Sequence, residues 1–182
     1  MQPGTTHQAA HGESGPRTDD DAWLGAEQAA VVAGARRRAV RDGDRQIDTA
    51  HLLHSLLESD PEVRAAVGPH LARLLGYLVQ RSIGYGLRWQ GSVEGSGALA
   101  VVPRPARGDG AAGDRGSWSP VARAALEAAG RRARQRGAAA VAGTDVLAAL
   151  VADPQSRAVE VLERAGLPLA DLRARLGHHA AD

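Results

Sequence analysis

The chain has 182 residues, with 22 basic residues that are all Arg, 21 acidic residues, no Cys, no Phe, one Met and a formal charge of +1. The length suits one domain plus tails, and the lack of Cys excludes disulfides, thiol catalysis and thiolate metal sites. The near-neutral charge argues against a dedicated nucleic-acid binder, and no run approaches the roughly 20 apolar residues of a membrane-spanning helix.

Residues 1–19 are polar and aperiodic, which predicts a disordered tail with no signal-peptide character and a cytoplasmic protein. Asp20 and Asp21 stand where an N-cap belongs, before a long helix whose face carries Leu24, Gln28, Val31, Val32, Ala35 and Ala39. Arg36, Arg37, Arg38 and Arg41 gather near its C-terminus, where positive charge suits the helix dipole, and Asp42-Gly43 ends it. After a loop carrying Ile47, Asp48-Thr49 caps a second helix with Leu52, Leu53, Leu56 and Leu57. Asp60-Pro61 starts a third, with Pro at the first helical position. Gly68-Pro69 breaks it, and Leu71, Leu74, Leu75 and Leu78 mark a fourth.

The period then changes. Ile83, Tyr85, Leu87 and Trp89 alternate with small or polar residues, and Leu99–Val102 follows a Gly-rich turn. This predicts a small β-hairpin over 82–103, with Arg104–Gly116 as a linker. Helical signals resume at Ser119-Pro120, with Leu126, Ala129 and Ala133 inward and Gly137 as the stop. Val146, Leu147, Leu150 and Val151 mark the next helix, Asp153-Pro154 predicts the start of another, and Gly166 closes it. Pro168, Leu169, Leu172 and Leu176 form the last, and 178–182 is a tail.

The strongest signal is an internal repeat. Gly43 and Gly137 lie 94 positions apart, and the same offset pairs Leu24 with Trp118, Val32 with Leu126, Ile47 with Val141, Leu53 with Leu147, and Val67 with Val161. The register holds from helix to loop to helix without a gap. Two such units should share a core about a pseudo-two-fold axis, and the groove where they meet is the natural ligand site.

The unit resembles the Clp repeat of the N-terminal domains of Clp-family AAA+ chaperones. The first copy matches through Leu24-Gly25, Val31-Val32, Gly43, Ile47-Asp48-Thr49-Ala50-His51-Leu52-Leu53 and Leu56-Leu57. The second matches through Trp118-Ser119-Pro120, Ala125-Leu126, Gly137, Val141, Val146-Leu147 and Leu150-Val151. The resemblance implies an all-α fold of two pseudo-symmetric four-helix repeats packed as one domain over 20–177. Repeat one spans 22–80, the insert and linker 82–116, and repeat two 117–177. It also implies a non-catalytic module without cofactor that docks a Clp ATPase, its substrates or adaptors, or cyclic peptides. Without Lys there is no Walker A loop, so the expectation is a free-standing relative that serves as adaptor, regulator or ligand-sequestering factor. Some relatives hold phosphoarginine at the Glu of Gly-Thr-Glu-His in each repeat; here those positions are Ala50 and Thr144, and Asp145 is one place later.

The groove candidates are Leu24, Thr49, Trp118, Ser119, Arg123, Thr144 and Asp145. Trp118 reads equally as an exposed peptide anchor and as a packed junction residue. Arg37, Arg41, Arg131 and Arg132 form a paired basic surface at equivalent helix ends. The competing reading makes that surface the contact of a small helical nucleic-acid-binding regulator. His51 and His54 share a helix face without a third ligand nearby, so no metal site is expected. No Gly-x-Ser-x-Gly elbow or other catalytic constellation is present.

Overall fold

Capping residues set most of the helix boundaries. The computed structural model describes residues 24–82, 93–95 and 117–178. The N-terminal tail with Asp20, Asp21 and Trp23, most of the expected hairpin, and the linker lie outside the described residues. In chain order the elements are α1 (Ala26–Asp42), β1 (Gln46–Ile47), α2 (Thr49–Ser59), α3 (Pro61–Val67), a 3-10 turn (Gly68–His70) and α4 (Leu71–Ser82). They continue with β2 (Ser117–Trp118), α5 (Pro120–Gln135), α6 (Gly143–Ala152), α7 (Arg157–Arg164) and α8 (Leu169–His178).

The predicted caps are made by the expected atoms. Asp60 Oδ1 accepts from the N–H groups of Glu62 and Val63 at 2.8 and 2.9 Å, and Ser119 Oγ accepts from Ala122 N at 3.0 Å. Gly43, Gly137 and Gly166 take φ of 71°, 68° and 74°. Each lets the next N–H reach back to a carbonyl of the preceding turn, as Asp44 does to Ala39 at 3.0 Å.

Three boundaries differ from the sequence reading. Helix α1 starts behind Gly25, without a side-chain cap, rather than after Asp20-Asp21. Helix α7 starts at Arg157, not at Asp153-Pro154. Its N-cap is the buried Ser156, whose Oγ accepts from Val159 N at 3.1 Å and donates to Leu150 O at 2.9 Å; Asp153 turns the chain instead, accepting from Gln155 N. The loop around Ile47 is a strand, paired in parallel with β2 in the register Gln46↔Ser117 and Ile47↔Trp118. Two residues are too few for a periodicity to show.

The packing is crosswise. Within repeats, α1 lies on α2 and α5 on α6; between them, α2 meets α7 while α3 meets α6, and α4 meets α7 while α3 meets α8. Matched swaps of this kind are the signature of the pseudo-two-fold axis, with α2 and α6 in contact at the centre. Helix α2 is buried at every position from Thr49 to Leu57, so it is a core helix on all sides rather than a one-faced one. Leu52, Leu53, Leu56, Leu147, Leu150 and Leu162 are fully enclosed. Among the described residues no helix is long and apolar enough to cross a membrane.

Close helix approach explains Gly34 in the interior of α1. A Cβ there would overlap Ser55 Oγ of α2, which donates to Val31 O at 2.8 Å. Gly76 of α4 has open space around it. Gly34→Leu should therefore lower the stability measured by urea denaturation by about 1–3 kcal/mol through overpacking, while Gly76→Ala should raise it by about 0.5–1 kcal/mol.

Candidate functional site

Burying α2 on all sides brings its polar first turn into the repeat junction, where the free N–H groups need acceptors. Glu94 supplies them. Its side chain is buried (4% exposed) although it comes from the segment between the repeats. One carboxylate oxygen accepts from Thr49 N at 3.0 Å and Ser119 Oγ at 2.6 Å. The other accepts from Arg157 N at 2.7 Å and from Thr49 Oγ1. Thr49 Oγ1 in turn accepts from Ala158 N at 3.0 Å. A single carboxylate thus joins the starts of α2 and α7 to the N-cap of α5.

Beside it lies a second buried carboxylate, Asp48, the N-cap of α2. It accepts from His51 N at 2.9 Å and from the guanidinium groups of Arg81 and Arg157, each at 2.6 Å. Burial alone would raise the Asp48 pKa, but the bond from His51 and the charges of His51, Arg81 and Arg157 outweigh it and hold the carboxyl well below the usual carboxylate range. His51 lies with Nδ1 2.8 Å from Asp48 Oδ1 and Nε2 3.1 Å from Asp44 Oδ2. Burial works against its charged form, and the contacts with Asp44 and Asp48 overcome it, so its pKa is raised. His54, which pairs with Glu58 at 3.3 Å, goes the other way. Burial, reinforced by the Arg38 charge, lowers it to about 4.

The pseudo-equivalent positions reverse these charges. Offset 94 carries His51 to Asp145 and Asp42 to Arg136. His51 Nε2 faces Asp42 at 3.9 Å, and Asp145 pairs with Arg136 and, at 3.3 Å, with Arg132. The mate of the Glu94 site is an open cleft of about 430 Å³ between α1, α3 and α6, lined among others by Glu27, Gln28, Asp60, Glu62 and Gly143.

The sequence candidates fall at several places. Thr49 and Ser119 meet at Glu94. Leu24 is core. Trp118 is half-buried, with the Arg36 guanidinium 5.6 Å from its ring centroid, a cation–π distance. Arg123 is exposed on α5, and Thr144 is half-buried in the first turn of α6. Asp145 is buried, accepting also from Ala142 N at 3.0 Å. Arg37, Arg41 and Arg131 are exposed, whereas Arg132 turns inward to Asp145 and Leu176 O. His51 and His54 do not converge; instead Asp42, Asp44 and His51 bring donor atoms within 4.8 Å of one another. Arg81 already bonds Asp44 there at 2.8 Å. The sequence reading missed Glu94, Arg157, Arg81 and Gln28. One signal existed: Glu94 is the sole acidic residue between Glu62 and Asp109.

Glu94→Ala should cost about 3 kcal/mol in denaturant melts, because it strands several buried donors at once, and should speed amide exchange at Thr49 and Arg157. The histidines predict a dome of stability against pH. The raised His51 stabilises below the unfolded value of 6.5, and that contribution is lost as pH rises through its folded value. The depressed His54 costs stability as pH falls from 6.5 towards about 4. Thermal midpoints across pH should lose the alkaline limb in His51→Gln and the acid limb from 6.5 to 4 in His54→Gln.

No protein-family model matches the chain, and no curated protein matches its sequence. Solved structures do. The Hsp104 N-terminal domain from Candida albicans superposes with a TM-score of 0.60 at 13% identity, covering 84% of this chain and 88% of that one. The N-terminal domain of the caseinolytic protease associated chaperone ClpD from Arabidopsis thaliana gives 0.57 at 18%, covering 87% and 98%. A chain from structural work on a malarial protein secretion system gives 0.59 at 15%, covering 87% and 95%. The chain therefore has the fold of a Clp N-terminal domain, all-α and twice repeated.

Proposed function

We propose that the chain is a non-catalytic protein- and peptide-binding module of the Clp proteolytic system, acting in the cytoplasm as an adaptor, regulator or ligand-sequestering factor. The observation that carries this reading is the fold shared with the Hsp104 and ClpD N-terminal domains over 88% and 98% of their lengths. In full chaperones such a domain precedes the ATPase ring, and by the resemblance it docks substrates and adaptors. No Lys is available in these 182 residues for a Walker A loop, so the role read for them is docking. Trp118 is half-buried and Arg123 is exposed, which leaves an aromatic anchor and a charge for a partner to engage.

Titration calorimetry against a purified Clp ATPase, an unfolded substrate protein and a cyclic peptide tests the reading. Saturable binding to at least one is expected, weakened about tenfold or more by Trp118→Ala. No binding to any of them, with the circular dichroism of a folded helical domain, would sink it. Salt-dependent retention on DNA lost in Arg37→Ala/Arg131→Ala would favour the nucleic-acid reading instead.

A further inference from the structure

We infer that the open cleft between α1, α3 and α6 is a site for one cationic side chain of an extended peptide, arginine or lysine, and that it rejects anions. The inference rests on the peptide-binding reading and names the chemistry of one subsite. Its central observation is Gln28. The residue is 2% exposed and lines the cleft, yet among the described residues neither its amide nitrogen nor its amide oxygen has a hydrogen-bond partner. A buried amide without partners is costly, and one that borders a cleft large enough for a side chain is half of a hydrogen bond awaiting its other half. Around it stand three carboxylates, Glu27, Asp60 and Glu62, and among the described residues no basic one lines the cleft.

The pseudo-equivalent site shows what an anion requires here. There Glu94 is held by Thr49 N, Thr49 Oγ1, Ser119 Oγ and Arg157 N. In the open cleft three of those four donors are removed or masked. Thr49 becomes Gly143 and Ser119 becomes Gly25, so both hydroxyls are gone. At the same offset Arg157 falls on Val63, whose N–H is already taken by Asp60 Oδ1 at 2.9 Å. Asp60 then places a carboxylate oxygen where a Gly143 Cβ would be. Two hydroxyl donors are lost, a third donor is occupied, and a carboxylate stands beside the fourth, which turns an anion hole into a cation-selective one. An arginine fork or a lysine ammonium can meet the Gln28 oxygen and the flanking carboxylates together.

The test is a heteronuclear NMR titration of the full chain with N-acetyl-arginine amide, N-acetyl-lysine amide, N-acetyl-glutamate amide and phosphoarginine, following the Gln28 side-chain amide and the Gly143 N–H. Saturable shifts with the two cationic probes are expected, with binding about tenfold weaker or absent for the two anionic ones. Glu62→Gln should weaken the cationic probes, and added salt should do the same. Gln28→Leu should abolish binding while leaving the thermal midpoint unchanged or higher, because it removes an unpaired buried amide; a purely structural Gln28 would lower it. Equal or tighter binding of phosphoarginine, no shift with either cationic probe, or undiminished binding in both Glu62→Gln and Gln28→Leu would overturn the inference. If the cationic probes fail while an unfolded substrate still binds, the subsite assignment falls and the peptide-binding reading stands; if both fail, both fall.

Discussion

Everything at the repeat junction depends on supplying acceptors to helix starts that are buried. A helix N-terminus leaves several N–H groups without intrahelical partners, and water cannot reach these ones. The chain meets the demand with two carboxylates. Asp48 serves its own helix and anchors Arg81 of α4 and Arg157 of α7. Glu94 serves α2 and α7 and binds the N-cap of α5. Each therefore does structural duty across the boundary between repeats. Removing either would strip acceptors from buried N–H donors, the situation in which buried polar groups cost most.

This arrangement makes the two halves chemically unlike while their backbones stay alike. One junction cleft is filled from within by Glu94; its mate is open and ringed by acids. The charge reversal from His51 and Asp42 to Asp145 and Arg136 repeats the theme at the next positions. A duplicated fold with one self-occupied cleft and one open cleft suits a module whose ligand engages a single face. The bound segment containing Glu94 also gives the insert a role beyond linking the repeats.

Much of the architecture was readable before any coordinates. The 94-residue offset, the caps at Asp48, Asp60 and Ser119, and the stops at Gly43, Gly137 and Gly166 all depend on local backbone chemistry, which short stretches of sequence report directly. The start of α7 was misread because Asp153-Pro154 and Ser156 are both competent caps, and a distant carbonyl, Leu150 O, chose between them. The β1–β2 pairing was invisible for the same reason: its partners lie 71 positions apart and are two residues long.

The sequence by itself determined most of the helices, their order and the duplication, because periodicity and capping act over a few residues. Tertiary structure alone decided which polar residues were spent inside and which were left for a ligand. Thr49 and Ser119 looked like groove residues and became ligands of Glu94, while Gln28 looked like one more position on a helical face and emerged as an unpaired amide at an open cleft. Whether a buried polar group is satisfied depends on atoms brought from far along the chain, and no local pattern records that.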